Sequence, residues 1–185
     1  MKIYLAGPDV FLPNAIQIGR QKVELCARFG LIGLYPLDNA IDLGAIDASE
    51  QIFRGNEAMM NEADAIIANL TPFRGPGADG GTVYELGYMA GHGKLCLGYS
   101  NEAALYVDRV RQFTAVTPND GQLTDAIGMT VEDFGLADNL MIVQSLALHG
   151  HAMVTPQQPP ADIWQDLSVF EACVRLAATR LPPTS

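Results

Sequence analysis

The chain has 185 residues, a formal net charge of −10, 49% hydrophobic residues and 17% charged residues. That length and balance describe one globular domain with a core that needs no disulfide or metal staple, and they exclude a disordered chain. The acidic surface excludes a nucleic-acid polymer and an anionic membrane as partners, since both reward basic patches, and leaves a small uncharged ligand open.

In chain order, Ile3 to Ala6 reads as a short buried strand cut by Gly7-Pro8. Asn14 to Phe29 reads as a helix with Ile16, Val23, Cys26 and Ala27 on its inner face, stopped by Gly30. Leu31 to Leu37 is a second strand, closed by Pro36 and Asp38-Asn39, and residues 41–48 form a loop. Ser49 is placed to cap a helix that runs to about Glu62, and Ala65 to Leu70 is a third strand. Residues 71–81 carry four glycines and two prolines and must be a loop. Thr82 to Gly91 follows as a helix and Lys94 to Tyr99 as a fourth strand. Residues 101–133 carry no assignable pattern, and Leu140 to Leu148 fits either strand or helix. A Gln-Gln-Pro-Pro linker at 157–160 leads to an amphipathic helix from Asp162 to Ala178, and residues 181–185 form a frayed tail.

Strands alternating with helices predict a mostly parallel α/β sheet covered on both faces, with ligands beyond the carboxyl ends of the strands. Gly7-Pro8, Asp38-Asn39 and the glycine-rich loop converge there. Cys26, Cys96 and Cys173 are scattered and odd in number, which predicts reduced, buried thiols in a cytoplasmic protein. The first apolar run is too short for a signal peptide. The uncharged stretch from Asn139 past His151 is interrupted by Gln144, Ser145 and His149, so it is not expected to span a membrane.

The segment Asp79-Gly80-Gly81-Thr82-Val83-Tyr84-Glu85 concentrates the chemistry. Thr82-x-x-Glu85 has the spacing of a capping box, in which both side chains serve the helix start. A glycine loop entering a helix can also cradle phosphate, but this one lacks the Lys-Ser/Thr of a P-loop and carries Asp79, which repels anions. A third reading uses the two carboxylates. Held at a helix N-terminus, a carboxylate stays ionised and can attack an anomeric carbon, as in retaining glycosidases. Elsewhere, Phe11 is placed either to stack on a ligand ring or to pack in the core. His149-x-His151 has no third ligand at a metal-site spacing, and His92 suits the C-terminal end of its helix.

Taken together, Ile3-Tyr4-Leu5-Ala6-Gly7-Pro8, Pro36-Leu37-Asp38-Asn39, Asn56 ahead of Ala63 to Leu70, Pro72-Phe73-Arg74-Gly75, Asp79-x-Gly81-Thr82-x-x-Glu85-x-Gly87 and Asn139-Leu140-Met141 make the chain resemble the nucleoside 2-deoxyribosyltransferases. The resemblance implies a flavodoxin/Rossmann-like fold with a five-stranded parallel sheet and helices on both faces, a single domain over residues 1–180, and a reaction without metal or cofactor. It implies Glu85 as the nucleophile on C1′ of deoxyribose, Tyr4 orienting that carboxylate, and Asp79 accepting a hydrogen bond from the 5′-hydroxyl. Gly7, Phe11, Asp38 and Asn56 would line the substrate, a deoxyribonucleoside followed by a free nucleobase. Asn139, with Met141 beside it, would complete a neighbouring subunit's site in a homo-oligomer. Several family members have an aspartate where this chain has Asn56, and an amide cannot serve as a general acid. Two alternatives accompany this expectation: a hydrolase of 2′-deoxynucleoside 5′-monophosphates, and a non-catalytic nucleoside sensor on the same fold.

Overall fold

The computed structural model describes residues 1–38 and 44–181. Four parallel strands, β1 (Lys2–Ala6), β2 (Ile32–Leu34), β3 (Ala65–Asn69) and β4 (Leu95–Tyr99), form a sheet in the order β2-β1-β3-β4. The helices are α1 (Ala15–Arg28), α2 (Ala48–Glu62), α3 (Gly80–Gly91), α4 (Tyr106–Phe113), α5 (Leu140–His149) and α6 (Ser168–Arg180). A small antiparallel sheet of β5 (Thr117–Asn119), β6 (Gln122–Thr124) and β7 (Thr130–Val131) occupies the stretch whose sequence carried no assignable pattern.

Strand periodicity sorts the core into two layers, because successive side chains leave a strand on opposite faces. Ile3, Leu5, Ala65, Ile67, Leu97 and Tyr99 pack with α1 and α6. Tyr4, Ala6, Ile66, Ala68 and Cys96 pack with α2, α3 and α5. The chain leaves β1 for β2 on one side and returns to β3 on the other, so strand order reverses between β1 and β3. Such a switch point opens a crevice at the carboxyl ends of the strands.

The five-stranded expectation is corrected to four. Residues 150–154 run beside β4 but touch it only through bridges at Cys96–Gly150 and Tyr99–Val154. Three steps along β4 are matched by four along the segment, so one extra residue breaks the ladder. A side chain at Gly150 would place Cβ 1.7 Å from the Cys96 carbonyl oxygen, which confines this approach to glycine.

Local boundaries also move. The second strand stops at Leu34, because Pro36 starts a 3-10 turn ending at Asp38. Helix α2 begins at Ala48, so Ser49 lies inside it. Helix α6 begins at Ser168: Asp162 accepts from the Trp164 and Gln165 backbone N–H groups and closes a separate turn first. Leu140 to Leu148 resolves as the helix α5. Leu181 packs on the core, and the rest of the expected frayed tail, with Asn39, lies outside the described residues. All three cysteines are free and buried, and burial pushes the Cys26 thiol up to about 12. No helix among the described residues is long and apolar enough to cross a membrane.

The inner face of α1 is Ala15, Ile18, Gly19, Lys22, Leu25 and Cys26, whereas Ile16 and Ala27 are exposed. Lys22 is fully buried: its Nζ donates to Asp9 Oδ2 at 2.6 Å and lies 5.1 Å from the Phe170 ring centre. Asn69, at the end of β3, donates to Asp9 Oδ1 and accepts from the Thr71 N–H. This chain of polar contacts ties α1 to the turn after β1 and to the exit of β3, the two sides of the switch point. Removing one partner of a buried pair leaves the other charge without compensation, so Lys22→Met is expected to cost about 3–5 kcal/mol in urea denaturation. The double change Asp9→Asn with Lys22→Met should recover a large part of that loss. Equal losses in both proteins would show that the pair is not coupled.

Candidate active site

Asp79 starts α3. Its carboxylate accepts from the Thr82 N–H at 2.9 Å and from Thr82 Oγ1 at 3.0 Å. The expected capping box is therefore corrected: the cap lies three residues before Thr82, at Asp79, and the helix starts at Gly80. Thr82 is buried in the first turn, and Glu85 is released from any capping duty.

Glu85 lies one turn further along and faces the sheet, where the Tyr4 hydroxyl donates to its Oε1 at 2.5 Å. Tyr4 has no solvent exposure, so its ring is a fixed wall and its hydroxyl a fixed donor. Burial pushes the Glu85 carboxyl up to about 7, the Tyr4 hydrogen bond pulls it down, and the nearby Asp79 charge pushes it up again. Burial thus works against the ionised state expected of a carboxylate at a helix start. With burial the largest influence, the carboxyl is poised to change protonation near neutrality. Burial likewise holds the Tyr4 phenol above its ordinary range, so it serves as a donor at every physiological pH.

Of the remaining expected site residues, Gly7 lies at the end of β1 and is buried. A Cβ there would sit 2.7 Å from the Asn69 Cβ, so only glycine lets the first and third strand exits approach this closely. Phe11 is 57% exposed and stacks on Phe73 with ring centres 5.3 Å apart, so it is not core filler. The Arg74 guanidinium lies 4.6 Å from the Phe73 ring centre and 5.5 Å from that of Phe11. Asp38 is exposed and accepts from the Tyr35 N–H, closing its own turn. Asn56 is half-buried on α2, and its Oδ1 is buried with no hydrogen-bond partner among the described residues.

Asn139 caps α5, accepting from the Met141 N–H at 3.0 Å, and its Nδ2 donates to Glu132 at 2.8 Å. Met141 beside it is 72% exposed. The structure thus brings Tyr4 and Glu85 into direct contact, with the Asp79 charge near enough to act on Glu85. It sets Phe11 and Asp38 in their own local contacts, and it leaves Asn139 engaged within its own chain. Among the described residues, no group of three His, Cys, Asp or Glu side chains is arranged to hold a metal ion.

Sequence reasoning missed Lys22, Asp9 and Asn69 beneath the site and Arg109 and Asp138 behind it. Lys22 had a usable signal, since it falls on the helical stripe 15, 18, 19, 22, 25, 26 that is otherwise apolar or small. The others had none, because their partners are distant in sequence.

Asp79→Ala has two separable consequences. Loss of the cap is expected to lower stability by about 1 kcal/mol in urea denaturation. Loss of the neighbouring negative charge should lower the Glu85 pKa, which an NMR titration of its side-chain carbon can follow. A titration that moves upward would contradict the charge relationship.

A family profile described as nucleoside 2-deoxyribosyltransferase matches residues 3–141. An uncharacterized protein from Schizosaccharomyces pombe is 32% identical over 164 residues, covering 80% of this chain and 78% of its own. Among solved structures, the 2-deoxyribosyltransferase from Leishmania mexicana is similar with a TM-score of 0.66 and 30% identity, covering 98% of this chain and 99% of that one. The 2-deoxyribosyltransferase from Bacillus psychrosaccharolyticus shares the fold with a TM-score of 0.56 at 19% identity, covering 85% of this chain and 88% of its own.

Proposed function

Because the chain belongs to the nucleoside 2-deoxyribosyltransferase family, we propose that it moves 2-deoxyribose from a donor nucleoside to a second nucleobase by double displacement through Glu85. The single observation that carries this reading is the buried Tyr4 hydroxyl donating to Glu85 Oε1 at 2.5 Å. A carboxylate fixed through one oxygen presents the other to a sugar carbon in a constant direction.

In the first displacement, Glu85 Oε2 bonds to C1′ as the N-glycosidic bond breaks, and the bond's electron pair leaves with the base. In the second, a nitrogen of the incoming base bonds to C1′ and the Glu85–C1′ bond breaks, returning the carboxylate. Two inversions give net retention. The absence of a 2′-hydroxyl lowers the barrier to the oxocarbenium-like transition state. Asp79 accepts the 5′-hydroxyl, while Gly7, Phe11 and Asp38 border the nucleoside. Asn56 reads a base edge: its buried Oδ1, without a partner among the described residues, accepts an N–H, but its amide has no acidic proton to give. The proton that the departing base acquires therefore comes from another source. No residue is assigned to a metal or cofactor.

A second copy belongs to this proposal. The exposed Met141 and the adjoining Asn139 suit a neighbour's sugar pocket, and closed symmetric assembly is the usual way to share such a site.

The test is direct. The protein is incubated with each deoxynucleoside and a different free base, and products are separated by chromatography. A new nucleoside supports transfer. Binding without any product would favour a sensor. Faster cleavage of deoxynucleoside 5′-monophosphates than of nucleosides would favour a hydrolase, against the like-charge repulsion that Asp79 offers a phosphate.

A further inference from the structure

The α4 segment, which carried no readable pattern, supplies a guanidinium with three acceptors. Arg109 is 4% exposed. Its Nε donates to the Pro76 carbonyl at 2.7 Å, Nη1 to the Ala104 carbonyl at 2.7 Å, and Nη2 to Asp138 Oδ2 at 3.1 Å. Asp138, itself buried, accepts from the Asn139 N–H at 2.7 Å, and the backbone N–H of Ala78 favours its charge. Ala78 immediately precedes Asp79. One carboxylate therefore holds the backbone at Asn139 and draws on the N–H of Asp79's neighbour, and one guanidinium holds that carboxylate and the glycine-rich loop at Pro76, three residues before Asp79. A buried ion pair of this kind is retained at a desolvation cost, and its fork geometry fixes direction as well as distance. Lysine offers one compact ammonium and cannot reproduce the three-way fork.

We propose that the Arg109–Asp138 pair is a positioning device that sets the Asp79 carboxylate for the sugar's 5′-hydroxyl and locks it in register with the start of α5. The inference rests on the reading of Asp79 as the 5′-hydroxyl acceptor. It concerns residues that act through Asp79 and do not touch the substrate.

The test uses the full-length enzyme and the variants Arg109→Lys, Arg109→Met and Asp138→Asn, each checked for folding by thermal melting. For each, kcat/KM is measured on 2′-deoxyadenosine and thymidine and on their 5′-deoxy analogues. The unaltered enzyme should prefer the 5′-hydroxyl substrates by about 10- to 100-fold, the range of a hydrogen bond to a charged group. Arg109→Lys should collapse that preference to about 3-fold or less, with little change on the 5′-deoxy analogues. A merely structural loss would lower both substrates alike, and that result overturns the proposal. So does a preference that survives the substitution, or one missing from the unaltered enzyme.

Amide hydrogen exchange supplies a second readout that needs no activity. In Arg109→Lys, residues 77–82 and 139–141 should lose protection together. Unchanged exchange in both segments overturns the clamp even if every donor proves inert. Inert donors with coupled loss of protection overturn the transferase reading and, with it, the proposed role in setting Asp79 for the sugar.

Discussion

Replacing Glu85 by Gln is expected to abolish base exchange, by about 10⁴-fold or more in kcat, because no other group supplies the nucleophile in the proposed double displacement. Gln keeps the size of the side chain and an acceptor for the Tyr4 hydroxyl, so the fold should be retained. Stability offers an independent check with a defined sign. The folded-state pKa of Glu85, about 7, lies above the ordinary value of 4.5. The unfolded chain gives up that proton more readily, so the wild-type protein loses stability as pH rises from about 4.5 to about 7. The cost is on the order of 3 kcal/mol above pH 8 and absent below pH 4.5. Glu85→Gln carries no such cost and should be more stable than wild type at pH 8 and equal to it at pH 4. Exchange at a near wild-type rate in this variant would reject Glu85 as nucleophile. A pH-independent stability difference would reject the desolvated carboxyl.

Tyr4→Phe should be the second most damaging change, lowering kcat/KM at pH 7 by about 100-fold, with the acid limb of the pH profile moving to higher pH. Two effects add here. The hydroxyl stabilises the ionised carboxylate, so its removal raises the Glu85 pKa further above about 7 and leaves less anion at neutrality. It also fixes the direction of attack, since its contact is a short hydrogen bond at 2.5 Å from a side chain with no exposure. Raising the pH restores the ionisation part only. The expected result is therefore a partial recovery, of a few-fold, between pH 7 and pH 9, with the orientation loss persisting. An acid limb that stays in place, or complete recovery at high pH, would remove one of these two effects from the account.

These expectations divide according to what is readable locally. Strand–helix alternation and the glycine turn leading into the helix of Glu85 both follow from short-range patterns. The continuous apolar runs of β1 and β3 and the breaks at Gly7-Pro8 and 71–81 are properties of a few consecutive residues. The family resemblance rested on such short pieces, and the match over residues 3–141 agrees with it.

Spacing misled where two local uses compete. Thr82-x-x-Glu85 has the form of a capping box, yet Asp79 takes the cap because the chain before Gly80 is extended and its carboxylate reaches the Thr82 N–H first. In α1, Lys22 does not read as a core residue because an ammonium is ordinarily solvent-facing, and only the Asp9 partner makes its burial tolerable.

By itself, then, the sequence determined the layered α/β plan, the place of the glycine loop and the identity of the two carboxylates beside it. Tertiary structure alone decided that Tyr4 meets Glu85 across 81 residues, that residues 150–154 add no continuous fifth strand, and that Arg109 joins the Asp79 loop to Asn139. The physical reason is that periodicity encodes which side of an element is buried, a property of neighbours in the chain. Strand register, charge pairing and the desolvation that lifts the Glu85 pKa depend on which distant segments come to rest against one another.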